Sequence, residues 1–190
     1  METKNIMIVG VGGQGSLLAS KMLGHLLLSE GYDVKVSEVH GMSQRGGSVV
    51  TYVRYGSKVS SPVIDKGEAD YIVSFELLEA ARWLPFLKKD GQIVTNIQQI
   101  DPMPVITGAA VYPEDLVAKL KNSGAKVDAL DCLKLAEEAG SAKAVNLVLM
   151  GRLSHYFDLP EEAWMRSLEA NVPAKFLELN KKAFALGKNA

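Results

Sequence analysis

A single cysteine, Cys132, occurs in the 190 residues. That count excludes an internal disulfide and any zinc site or iron–sulfur cluster held by several thiolates of this chain. Histidine is almost as scarce: His25, His40 and His155 are dispersed and do not make a zinc site. Neither sign of charge prevails, with 21 Lys plus Arg against 22 Asp plus Glu. No global field therefore draws the chain to nucleic acid or to an anionic membrane, and any anion site must be local. Nowhere do about 18 apolar residues run together. The apolar run from Ile6 to Val11 is too short for a secretory leader and passes straight into glycines, so the chain is expected to be cytoplasmic. Hydrophobic residues at 47% and charged residues at 23% describe a globular protein able to fold without staples. With no repeat, charge block or low-complexity tract, residues 1–190 are expected to form one domain.

Hydrophobic periodicity orders the chain. Ile6–Val9 is a short, largely β-branched run of the kind buried on both faces of a parallel sheet. Leu17, Leu18, Met22, Leu23, Leu26 and Leu27 follow at helical spacing, with Gly31 placed to end the helix. Asp33 to Glu38 reads as a second strand, which completes a βαβ unit. Further strands are expected at 49–55, 71–75, 92–95 and 125–130. Helices are expected from Leu77 to Leu84, interrupted or ended by Pro85, and from Pro113 to about Lys121. Asp101-Pro102-Met103-Pro104 reads as a connector. After Cys132 the pattern is helical, over 133–139, 142–156, 161–170 and 174–186. Apolar residues circle nearly the whole of the second of these, so that helix is expected to be buried on several sides, by its own domain or by a partner. The fold class is α/β: a Rossmann-like three-layer α/β/α arrangement with a mainly parallel sheet and a helical C-terminal part.

Two glycine loops carry the candidate chemistry. In the first, Gly10, Gly12, Gly13, Gln14 and Gly15 spell G-x-G-x-x-G between strand and helix, the context of a dinucleotide fingerprint. Glycines allow close backbone approach, and the start of a helix favours an anion. Glu38, ending the second strand, stands where an acid would bind a ribose hydroxyl. A tight strand-to-helix turn explains the same glycines without any ligand.

The second loop, Ser37 to Ser48, is long for a connection between strands. Arg45 beside Gly46 and Gly47 has a guanidinium fork suited to a phosphate or carboxylate, with Ser43 and Ser48 supplying hydroxyls. An internal pair between Arg45 and Glu38 is the alternative. His40, followed by Gly41, is the one histidine in a polar setting fit for acid–base work, yet no nucleophile accompanies it. His25 and His155 read as packing or surface residues, and Cys132 as a small buried hydrophobe. No residue is assigned a catalytic role.

Taken together, Gly10 to Gly15 and the stretch Ser37-Glu38-Val39-His40-Gly41-Met42-Ser43-Gln44-Arg45-Gly46-Gly47-Ser48-Val49 resemble the gamma-type domain of the 2-oxoacid:ferredoxin oxidoreductases. The resemblance continues through Ser61-Pro62, Glu76 to Ala80, Asn146 and the ending Val172 to Asn180. Within that family it is strongest to the small beta subunit of the indolepyruvate enzymes, with the pyruvate, 2-oxoisovalerate and 2-oxoglutarate enzymes as rivals.

The resemblance implies a share in an oxidative decarboxylation, in which a 2-oxoacid and coenzyme A give acyl-CoA and carbon dioxide while ferredoxin is reduced. Thiamine diphosphate in such enzymes sits on a Gly-Asp-Gly motif with a downstream Asn pair, and this sequence has neither. One thiol cannot hold a 4Fe-4S cluster. The resemblance therefore implies a larger partner subunit carrying thiamine diphosphate and the clusters, contact with ferredoxin only through the complex, and no metal held by this chain. Gly12, Gly13, Gln14, His40, Met42, Gln44 and Arg45 are expected at the centre of the subunit seam or along the coenzyme A approach. A free-standing dinucleotide-binding protein is the competing class.

Overall fold

The computed structural model describes residues 2–39 and 46–190. Six strands form one sheet in the order β2-β3-β1-β4-β5-β6: β1 (Lys4–Val11), β2 (Asp33–Glu38), β3 (Ser48–Gly56), β4 (Ala69–Ser74), β5 (Leu87–Asn96) and β6 (Lys126–Leu130). β1, β4, β5 and β6 pair in parallel, whereas β3 lies antiparallel between β1 and β2. Five strands thus run one way and β3 alone runs the other, which keeps the sheet mainly parallel.

The expected βαβ unit is split by this order. β1 and β2 do point the same way on either side of α1 (Ser16–Ser29), but the chain returns through β3 and occupies the space between them. Hydrophobic periodicity reports which face a strand buries and is blind to which neighbour it takes.

Alternation along the central strands builds the three layers. Ile6 and Ile8 of β1, Val73 of β4 and Val94 of β5 point into a core closed by α1 and by the C-terminal helices. Met7, Val9, Ile72 and Ile93 point the other way, against α2 (Leu77–Trp83) and α4 (Leu116–Asn122). Four helices fill the C-terminal part: α5 (Cys132–Ala139), α6 (Val145–Leu153), α7 (Glu161–Asn171) and α8 (Leu177–Lys188). All of α6 except Arg152 is buried, and it packs against α8, α5, α1 and β5, so its own fold covers it. The α6–α8 crossing is backbone to backbone. A Cβ on Gly151 would lie 2.0 Å from the Phe184 carbonyl oxygen, and one on Gly187 would lie 2.0 Å from that of Val148.

Three element boundaries differ from expectation for local reasons. Residues Met103–Ile106 form a one-turn helix, α3, because Pro104 sits in the first turn, where its missing N–H costs nothing. α4 starts at Leu116 rather than at Pro113, since Asp115 takes a left-handed conformation (φ 54) that resets the chain direction. β5 begins at Leu87, earlier than its apolar run, where Lys88 pairs with the buried Asp70 of β4 and that bond pushes the Lys88 pKa up.

Candidate functional site

The first glycine loop turns the chain from β1 into α1, and its shape is fixed from within. Gln14 folds back so that its Oε1 accepts the Val11 N–H at 2.7 Å while its Nε2 donates to the Phe75 carbonyl at 3.1 Å. The same carbonyl accepts Nδ2 of Asn96 at 3.2 Å, and Asn96 Oδ1 takes the Cys132 N–H at 3.1 Å. Two amide side chains thereby tie together the ends of β1, β4, β5 and β6. Gly10 leaves room for this brace, since a Cβ there would stand 2.9 Å from both Gln14 Oε1 and Phe75 Cβ.

Gly15 caps α1 in a left-handed conformation (φ 88) open to glycine at little cost. A side chain there would also meet Nδ2 of Asn146 at 3.1 Å, so the buried start of α6 backs the loop. Gly12 and Gly13 lie on the outside of the turn and, with Gly15, line an open cavity of about 360 Å³. Its other walls include Leu17, Glu38, Val39 and Thr51.

Of the second loop, the described ends are Glu38 and Val39 on one side and Gly46, Gly47 and Ser48 on the other. His40, Gly41, Met42, Ser43, Gln44 and Arg45 lie outside the described residues. Glu38 is engaged within the fold, its Oε1 accepting the Ser20 hydroxyl at 2.7 Å. The Gly12 N–H donates to the Gly47 carbonyl at 2.9 Å, and the Gly46 N–H to the Gly12 carbonyl at 3.4 Å. The described glycines of both loops, Gly12, Gly46 and Gly47, therefore meet on one face, at the carboxyl end of β1.

Cys132 opens α5 and is wholly buried, and desolvation pushes its thiol well above the usual range. It offers no thiolate. His25 and His155 are exposed and apart from the glycine face, and His155 Nε2 meets the Lys188 carbonyl. Among the described residues no group of three His, Cys, Asp or Glu side chains is placed to hold a metal ion. No helix among them is long and apolar enough to cross a membrane.

Sequence reading missed one cluster beside the glycine face. Glu76 and Glu79, at the start of α2, are 1% and 4% exposed and reach Tyr112 and Ser48. The signal was two carboxylates three residues apart inside the otherwise apolar window Phe75 to Ala81. Charge at that spacing in a core segment calls for partners from elsewhere in the chain.

A family model described as "Pyruvate ferredoxin/flavodoxin oxidoreductase" matches residues 5–190. The chain belongs to that family. An indolepyruvate oxidoreductase subunit IorB of Thermococcus kodakarensis is 46% identical over 195 residues, spanning 100% of this chain and 96% of the relative. Among solved structures, the pyruvate oxidoreductase subunit PORC of Thermotoga maritima superposes with a TM-score of 0.76 at 21% identity, over 100% of this chain and 97% of that one. The 2-oxoglutarate:ferredoxin oxidoreductase of Magnetococcus marinus, solved with 2-oxoglutarate, coenzyme A and succinyl-CoA bound, matches with a TM-score of 0.75 at 20% identity. There the match covers all of this chain but 31% of the other, so the family fold also occurs as one portion of a longer polypeptide. Family members of this kind are subunits of oxidoreductases, and the chain is an enzyme subunit rather than an enzyme by itself.

Proposed function

We propose that this chain is the gamma-type accessory subunit of an indolepyruvate:ferredoxin oxidoreductase. The complex converts an aryl pyruvate, coenzyme A and oxidised ferredoxin to acyl-CoA, carbon dioxide and reduced ferredoxin. The observation that carries the reading is the 46% identity, end to end, to a subunit named for indolepyruvate. Relatives named for pyruvate or 2-oxoglutarate enzymes are 20–29% identical, which is less than that relative offers.

The residues of this chain do not fit the redox groups of such an enzyme. Its one thiol is buried and held protonated, and no Gly-Asp-Gly motif is present. We therefore assign thiamine diphosphate and the 4Fe-4S clusters to a larger partner subunit, with ferredoxin docking on the assembled complex in the cytoplasm. This chain, folded as one domain over residues 1–190, supplies a docking face.

That face is the joined pair of glycine loops, with Gly12, Gly13, Gly46 and Gly47 at its described centre and Gln14 bracing it from behind. Exposed backbone with little side-chain bulk suits close approach of another chain; the Gly12 and Gly46 N–H groups are already bonded within the face, so an anion such as the phosphates of coenzyme A would be favoured at the start of α1. A dinucleotide site of the usual kind is disfavoured, because β3 separates the acid-bearing strand β2 from β1 and Glu38 already holds Ser20.

Co-expression with the larger subunit followed by turnover assays on several oxoacids tests the assignment. Indolepyruvate is expected to give a higher kcat/KM than pyruvate or 2-oxoglutarate. A preference for either of the latter would move the chain to the corresponding sister enzyme.

A further inference from the structure

The carboxylates of Glu76, which caps α2, and Glu79, in its first turn, are buried at the back of the glycine face, and the roles assigned so far use neither. Glu76 is the N-cap: its Oε2 accepts the Glu79 N–H at 2.8 Å, the ordinary service of an acid at that position. Its Oε1 accepts the Tyr112 hydroxyl at 2.6 Å and the Ile100 N–H at 3.1 Å, which holds the segment after β5 against α2.

Glu79 is not needed for capping. One of its oxygens accepts the Ser48 hydroxyl and the other accepts Arg82 Nε at 3.0 Å. Burying a carboxylate is costly, and an apolar residue would fill that volume of α2 more cheaply. What the carboxylate adds is a tether to Ser48, the first residue of β3 and an exposed one, which directly follows Gly47. Gly47 in turn takes the Gly12 N–H, so a continuous set of bonds runs from Glu79 through Ser48 into both glycine loops. The cavity of about 220 Å³ at this place is lined by Gly46, Gly47 and Ser48 and by Pro102, Met103 and Pro104. Glu79 fixes the first of these walls and Glu76 is bonded at Ile100, just before the second.

We infer that Glu79 is a positioning residue for the glycine face: through the Ser48 hydroxyl it sets where the second glycine loop re-enters the sheet, and hence the shape presented to the larger subunit. The inference rests on the proposed function, which takes that face as the subunit contact. Without the tether, the position of Gly46 and Gly47 would have to be fixed by the docking itself, which lowers affinity without removing any contact across the seam.

The test titrates the full chain with the larger subunit. Ser48→Ala removes the tether at an exposed position. It is expected to weaken association about tenfold, roughly the loss of one charge-assisted hydrogen bond. Ser48→Thr, which restores a hydroxyl, should bind like wild type. Glu79→Gln should weaken association, and the double variant should lose no more than the worse single one. Wild-type affinity for Ser48→Ala, or failure of Ser48→Thr to restore it, would overturn the positioning role while leaving the proposed function standing. A wild-type chain that does not bind the larger subunit would overturn both.

Discussion

Gly12 donates its backbone N–H to the carbonyl of Gly47 across 2.9 Å, which fastens the loop after β1 to the end of the loop before β3. The first glycine loop and the described end of the second are therefore joined as one unit. Several side chains support that unit from behind, and each support can be removed separately.

Gln14 bridges Val11 and Phe75 with both ends of its amide. Gln14→Ala leaves the Phe75 carbonyl with Asn96 alone and the Val11 N–H without its acceptor. The expected loss is about 1–3 kcal/mol, measured by urea denaturation. Gln14→Glu should lose a similar amount, since a carboxylate accepts from Val11 but cannot donate to Phe75.

At the α6–α8 crossing, Gly151→Ala places a methyl group 2.0 Å from a backbone oxygen of Phe184, too close for any rotamer to relieve. The helices must separate, and a loss of about 3 kcal/mol or more is expected. A thermal melt reads it directly, and Gly187→Ala should behave alike. A variant melting within about 1 °C of wild type would mean that the crossing is looser than the structure shows.

Cys132 is wholly buried and its thiol is pushed up by desolvation first and by Asp131 and Asp128 after that. A thiol reagent should not label the native chain at neutral pH and should label it fully in denaturant. Cys132→Ala should leave turnover by the assembled complex unchanged, because the residue holds no electron carrier.

Tyr156 donates to Asp128 at 2.7 Å, and burial together with that bond raises its pKa from 10.0 to about 12. Between those two values the native chain retains a proton that the unfolded chain has lost. Stability contributed by Tyr156 is thus complete below pH 10 and is lost as pH rises toward 12. Tyr55, Tyr71 and Tyr112 are shifted upward as well, chiefly by burial, and act in the same sense. Denaturation midpoints should fall steadily above pH 10, and Tyr156→Phe should make the fall shallower.

Much of this fold was legible in the residues. The β1 run and the helical spacing of Leu17 to Leu27 with Gly31 after it appear in the structure as expected, and of the two covers that the apolar circumference of α6 left open the structure supplies the chain's own fold. Strand order was not legible, because Ser48 to Gly56 alternates suitably for an edge or an interior position. Only pairing with both β1 and β2 distinguishes the two. The glycine face was legible as two motifs, while its supports were not. Gln14, Asn96, Glu76 and Glu79 act through partners far away in sequence, and a motif carries no record of such partners.

The most direct test of the central claim is ferredoxin reduction with indolepyruvate and coenzyme A by this chain, by its larger partner, and by the two together. The account predicts no turnover by this chain, full turnover only on mixing, and a stable complex at the same stoichiometry that restores activity. Sustained reduction by the purified chain without its partner would contradict it.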